Sequence, residues 1–124
     1  MFEHPLGYIL RHEDELPWLK IFSAYPYKEL SDCDLKTKKF LLECMDICEK
    51  TLIEYYNPEK INCAIFGNYL PHLHIHVMAR FKEDAFFPES TWGIKQRESN
   101  LVLPPFKGFE ALLNIRLAPL LDFS

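Results

Sequence analysis

Asn68-Tyr69-Leu70-Pro71-His72-Leu73-His74-Ile75-His76-Val77-Met78-Ala79-Arg80-Phe81 holds three of the chain's five histidines, spaced two apart with apolar residues between them. Side chains on a β-strand alternate faces with a period of two. As a strand, this stretch puts His72, His74, His76, Met78 and Arg80 on one face. Leu73, Ile75, Val77, Ala79 and Phe81 fall on the other, an unbroken apolar face ready for a core. A row of imidazoles opposite such a face is a candidate centre of chemistry, and the rest of the chain is read around it.

Upstream, Ile61 to Phe66 reads as a strand and Gly67-Asn68 as the turn leading into the histidine strand. That order makes an antiparallel pair and brings Asn62 to the imidazole face or its edge. Before it, Ser31 and Asp34 announce a helix of about 25 residues, Ser31 as its cap and Asp34 in the capping-box position. Leu41, Met45, Cys48, Leu52 and Tyr55 form its apolar stripe, and Asn57-Pro58 stops it. Its Lys and Glu side chains form a solvated face. The N-terminal part reads as a hairpin of Leu6–Arg11 and Trp18–Tyr25, with Pro17 and Pro26 at the ends of the second strand. After Phe81 comes an aromatic-rich loop, then Pro104-Pro105 and a last helix over about Gly108–Leu121. His4 and His12 carry no spacing signal and are read as surface residues.

With 124 residues, 48% hydrophobic and 26% charged, the chain is one globular domain over 1–124, with a core from about 6–81 and the aromatic loop and C-terminal helix in 82–124. A net charge of −4 argues against general nucleic-acid binding, which needs a basic surface. No apolar run approaches the length of a membrane span, and no secretory signal is visible, so a cytoplasmic protein is expected. Cys33, Cys44, Cys48 and Cys63 show no Cys-x-x-Cys spacing and read as reduced, buried thiols.

Three histidines in one row can bind a metal, attack phosphorus, or simply pack. A metal ion is awkward, because same-face neighbours on a strand stand about 6.6 Å apart and no nearby carboxylate or cysteine completes a familiar ligand set. Attack on phosphorus needs a neutral imidazole whose far nitrogen is hydrogen-bonded, with neighbouring donors for the phosphate oxygens. His74, flanked on both sides by imidazoles, is the natural nucleophile.

The run His72-Leu73-His74-Ile75-His76-Val77-Met78 resembles the hallmark of the histidine triad superfamily, in which histidine alternates with apolar residues. Asn62, Gly67-Asn68 and the later Trp92-Gly93 also resemble the pattern of bacterial members grouped with diadenosine tetraphosphate hydrolases. The resemblance spans about residues 6–81. It implies an α+β fold with an antiparallel sheet of about five strands, one long helix packed across it and a C-terminal helix. It implies a homodimer that hydrolyses or transfers at the α-phosphate of a small-molecule nucleotide, such as a dinucleoside polyphosphate or a phosphoramidate, with no cofactor required.

By that likeness His74 is the nucleophile, His76 donates to phosphate, and His72 lies near the leaving group. Asn62, Gly67 and Asn68 bind phosphate oxygens, while Arg80 and Trp92 are further candidates. Asn68 stands where many members have Gln. The segment from Arg11 to Tyr25 is short for the family's ribose-binding region, leaving Asp14 or Glu15 as stand-ins. Arg80 is equally readable as an exposed ion-pair partner, Trp92 as a buried loop anchor, and Lys95 and Arg97 as solvated. Two other functions stay open: a nucleotide-binding or scaffold module with little turnover, and a histidine-ligated metal protein.

Overall fold

The computed structural model describes residues 1–122 and has a five-stranded, wholly antiparallel sheet in the order β1-β2-β3-β5-β4. The strands are β1 (Phe2–His4), β2 (Gly7–Arg11), β3 (Trp18–Ser23), β4 (Lys60–Ala64) and β5 (His74–Arg80). Helix α1 (Leu35–Tyr56) lies across one face, and α2 (Phe106–Leu117) packs mainly on α1. The α+β architecture implied by the resemblance is therefore present.

Alternation sorts every strand. Ile9, Leu19, Ile21, Ile75, Val77 and Ala79 turn towards α1 and are almost completely buried, meeting Phe40, Leu41, Cys44, Cys48 and Leu52. Each such aliphatic side chain contributes roughly 1.5–3 kcal/mol when removed from water. The opposite face carries Tyr8, Trp18, Lys20, Phe22, His74, His76 and Met78, and among the described residues α1 and α2 pack on the other side. The helix thus anchors the sheet from behind and leaves the imidazole face open.

Several boundaries differ from the sequence reading. The N-cap of α1 is Asp34, whose Oδ1 accepts from the Thr37 amide at 2.8 Å. Ser31 lies instead in a preceding 3-10 turn (Leu30–Asp32), whose own capping box joins Glu29 and Asp32. The helix accordingly runs 22 residues rather than about 25, and it ends where Asn57 adopts the left-handed region, φ 49°. Its buried stripe keeps the expected Leu41, Cys48 and Leu52 and adds Thr37, Phe40, Cys44, Thr51 and Tyr56, with Met45 and Tyr55 at the margin. The last helix begins and ends earlier than Gly108–Leu121, and Ala118–Leu121 form a 3-10 turn.

Strand β1 lies before the expected hairpin, and a three-residue strand is too short to show a period. Pairing with β2 brings His4 over the helix side, where its ring stacks on Phe40 at 4.3 Å. The Leu6 amide donates to His4 Nδ1, so Nε2–H donates to the Leu120 carbonyl at 2.9 Å. His4 therefore ties the start of the chain to its C-terminal turn and is not a bare surface residue. Cys33, Cys44 and Cys48 are buried as expected, whereas Cys63 on the edge strand is exposed.

Candidate active site

His74 and His76 both project from β5 onto the open face, with rings 4.8 Å apart and steeply inclined. Across the sheet, register sets Phe22 opposite His74 and Lys20 opposite His76. Phe22 stacks on the His74 ring at 4.9 Å and 23°. The nucleophile expected from the sequence is thereby held flat against an aromatic plane.

Hydrogen-bond partners settle which ring nitrogens carry protons. His74 Nδ1 lies 2.7 Å from the His72 carbonyl oxygen. A carbonyl only accepts, so Nδ1 bears the proton and Nε2 presents a lone pair. His76 is the opposite case. Trp18 Nε1–H donates to His76 Nδ1 at 3.0 Å, and an indole nitrogen can only donate. Neutral His76 therefore carries its proton on Nε2, as a donor. One imidazole offers a nucleophile and its neighbour offers a hydrogen bond, both fixed by partners behind them.

Burial, then the fields of His74, His12 and Lys20, lowers the His76 pKa to about 4. Its folded value is thus below the unfolded 6.5. Between those two values the unfolded ring binds a proton that the folded ring refuses, so this residue's contribution to stability is complete above about 6.5 and is lost as pH falls towards 4. Protonation at Nδ1 also removes the acceptor for Trp18. A proton-NMR titration of the His76 ring is expected to show a midpoint near 4. A midpoint near the unfolded value would mean that the indole bond and the burial do not hold in solution.

The two histidines open into a cleft of about 450 Å³ lined by His12, Lys20, Phe22, Phe66, Gly67, Asn68, Tyr69, Leu70, His74, His76 and Trp92. Gly67 has φ 71°, a left-handed backbone that suits glycine, and this bends the chain between β4 and β5 so that Phe66, Asn68 and Tyr69 form a rim. Trp92 is half exposed rather than a buried anchor. Its ring edge meets His76 at 5.1 Å, Trp18 at 5.3 Å and Phe66 at 4.8 Å.

Not every expected residue reaches the cleft. His72 precedes β5, and its ring lies edge-on to Tyr8 and Phe22 with Nε2–H donating to the Ser23 carbonyl at 2.6 Å. Its carbonyl, rather than its imidazole, touches the centre. Asn62 lines a neighbouring cleft with Met78, Ser90 and Thr91, and its Oδ1 accepts from Arg80 Nη1 at 2.8 Å. Arg80 is 1% exposed, neither a free phosphate ligand nor an exposed ion-pair partner. It forks onto Asp84 and donates to the Glu89 carbonyl, fastening the loop that bears Trp92.

Asp14 and Glu15, the ribose stand-ins, line a separate cleft beside Leu16 and Lys95, and Asp14 Oδ1 accepts from the Leu16 amide. Arg97 is tied to the carbonyls of Asp84 and Phe87. Lys95 pairs with exposed Glu98.

Phe22, Phe66, Tyr69 and Leu70 were not among the expected site residues, and two basic cleft residues also escaped the sequence reading. His12 is half-buried, its ring 4.1 Å from Trp18, and not a plain surface residue. Lys20 shares the face of Trp18 and Phe22 by simple alternation, a signal available from the strand pattern once β3 is paired with β5. Among the described residues no group of three metal-ligating side chains converges, and no helix is long and apolar enough to cross a membrane.

No family model and no curated protein matches the chain. Solved structures do. A histidine triad protein from Bradyrhizobium japonicum superposes with a TM-score of 0.73 at 25% identity, covering 98% of this chain and 88% of that one. Histidine triad proteins from Sinorhizobium meliloti (TM-score 0.71, 23% identity, 95% and 85% coverage) and Marinobacter aquaeolei (0.69, 24%, 96% and 85%) share the fold. With that architecture around the alternating histidines of residues 72–78, the chain has the fold of the histidine triad proteins and resembles them at their hallmark run.

Proposed function

We propose that the protein is a nucleotide hydrolase or nucleotidyl transferase that works at the α-phosphate through a covalent intermediate on His74. The observation that carries this reading is the paired tautomer: a lone pair on His74 Nε2 beside a proton on His76 Nε2. In the first step His74 Nε2 forms a bond to phosphorus while the bond from phosphorus to the leaving group breaks. The leaving group departs with the electron pair and takes a proton from solvent. The substituted imidazole is then cationic, and its Nδ1–H still points at the His72 carbonyl, which stabilises that charge. Water or another hydroxyl acceptor attacks phosphorus and releases its proton to solvent, the phosphorus–nitrogen bond breaks with its electron pair going to Nε2, and neutral His74 is restored.

His76 Nε2–H and the Asn68 amide donate to the non-bridging oxygens as charge develops, a role supported by the place of both residues on the cleft. The aromatic rings of Phe66, Tyr69 and Trp92 offer planes for a base. Rapid acid-free quenching of the enzyme with a dinucleoside polyphosphate or a nucleoside phosphoramidate, followed by intact-protein mass spectrometry, tests the proposal. One nucleotidyl group per chain, on a peptide containing His74, is expected. Tight nucleotide binding with neither adduct nor product would instead establish a binding module.

A further inference from the structure

The cleft carries positive charge that the covalent step does not use. Lys20 lies directly across the β3–β5 ladder from His76, with Nζ 6.0 Å from the Phe22 ring that stacks on His74. His12 packs on Trp18, the residue that holds His76 in its tautomer. Each basic group therefore stands one aromatic ring away from one of the two working imidazoles. Lys20 is half-buried, and among the described residues it forms no ion pair. No Asp or Glu lines the cleft, although the chain as a whole is acidic.

Lys20 therefore presents a cation to the cleft wall with no carboxylate beside it among the described residues. The fields of Lys20 and His12 both reach His76, helping to keep it unprotonated, and Lys20 also discourages a charge on His12 after burial has done so. The nearest opposing influence is Asp14, which favours protonated His12 but lines another cleft and is bonded to the Leu16 amide.

We infer that Lys20 and His12 form an anion subsite beside His76, which holds phosphates beyond the one attacked and makes nucleoside polyphosphates the preferred substrates. The subsite rests on the reading of His74 as nucleophile, because it receives what hangs from the reacting phosphorus. Lys20 supplies a fixed charge to the distal phosphates, and neutral His12 supplies a ring N–H or, once an anion arrives, a full charge. The same charge repels leaving groups that bear an ammonium and gives no help to uncharged ones.

The test compares diadenosine tetraphosphate with the p-nitrophenyl ester of adenosine monophosphate, whose substituent is uncharged. In Lys20→Met the ratio of the two kcat/KM values is expected to fall about tenfold or more, the scale of one charge-assisted contact. Lys20→Arg should recover part of the ratio, and His12→Gln should lower it less than Lys20→Met does. Calorimetric binding of inorganic tripolyphosphate, which needs no turnover, should weaken in parallel in Lys20→Met. An unchanged ratio together with unchanged tripolyphosphate affinity in both variants would overturn the subsite. If wild type turns over neither nucleotide but tripolyphosphate binding still depends on Lys20, the hydrolase reading fails and the anion subsite stands.

Discussion

Replacing His74 with alanine is expected to lower turnover of any nucleotide substrate by roughly 10⁴-fold or more, the loss seen when a covalent nucleophile is deleted. The label trapped on the protein should vanish with it. The fold should survive, because His74 lines the cleft and, among the described residues, its side chain bonds only to the His72 carbonyl. Nucleotide binding should also persist, since Lys20, His76, Asn68 and the aromatic rim remain. A His74→Ala protein that turned over substrate as fast as wild type would sink the covalent mechanism. His76→Ala is a different case, because it removes a donor and leaves the nucleophile.

The second large effect concerns stability. Asp84 is fully buried and accepts five hydrogen bonds: Nε and Nη2 of Arg80, at 3.0 and 3.1 Å, and the amides of Phe81, Phe86 and Phe87. Asp84→Ala leaves the Arg80 guanidinium buried and uncompensated and strips three amides of their acceptor. A loss of about 3–5 kcal/mol in folding free energy is expected, read by denaturant unfolding. Arg80→Met with Asp84→Ala should be less destabilised than the single change, because no bare charge is left.

Burial on its own pushes the Asp84 carboxyl up, but the bonds from Arg80 and the three amides outweigh it and hold the pKa below the ordinary 3.8. A carboxylate depressed in this way stabilises above its unfolded value and loses that contribution as pH falls. The gap between wild type and Asp84→Ala should therefore narrow below about pH 3.8. A variant as stable as wild type would show that the loop from Phe81 to Trp92 is held by something else.

Local pattern and long-range register account for what could be read in advance. Alternation along β5 is a property of consecutive residues, so His74 and His76 on one face and Ile75, Val77 and Ala79 on the other were legible. Helix α1 and its stop at Asn57-Pro58 were legible for the same reason, while its start was not. Ser31 and Asp34 are both competent caps, and the choice depends on the intervening 3-10 turn closing through Glu29 and Asp32.

The site itself is largely made across strands. Trp18, Lys20 and Phe22 face the histidines only because β3 pairs with β5 in one register, and a slip by one residue would have turned them towards the helix. His12 reaches the cleft by packing on Trp18 from the start of the β2–β3 connection, and Asn62 is diverted by Arg80, which no spacing rule announces.

One bond has a consequence for how this centre tolerates change. The acceptor that readies His74 belongs to the main chain of residue 72, and every amino acid brings the same carbonyl. The tautomer therefore depends on the path of the backbone at residue 72 and on the side chain there only through the bond that its ring makes to the Ser23 carbonyl. That path is held by the Leu73 amide on the Tyr27 carbonyl and by the Ser23 amide on the Leu73 carbonyl. The tautomer of His74 is a property of strand registry, inherited by any sequence that keeps β3 and the approach to β5 in step.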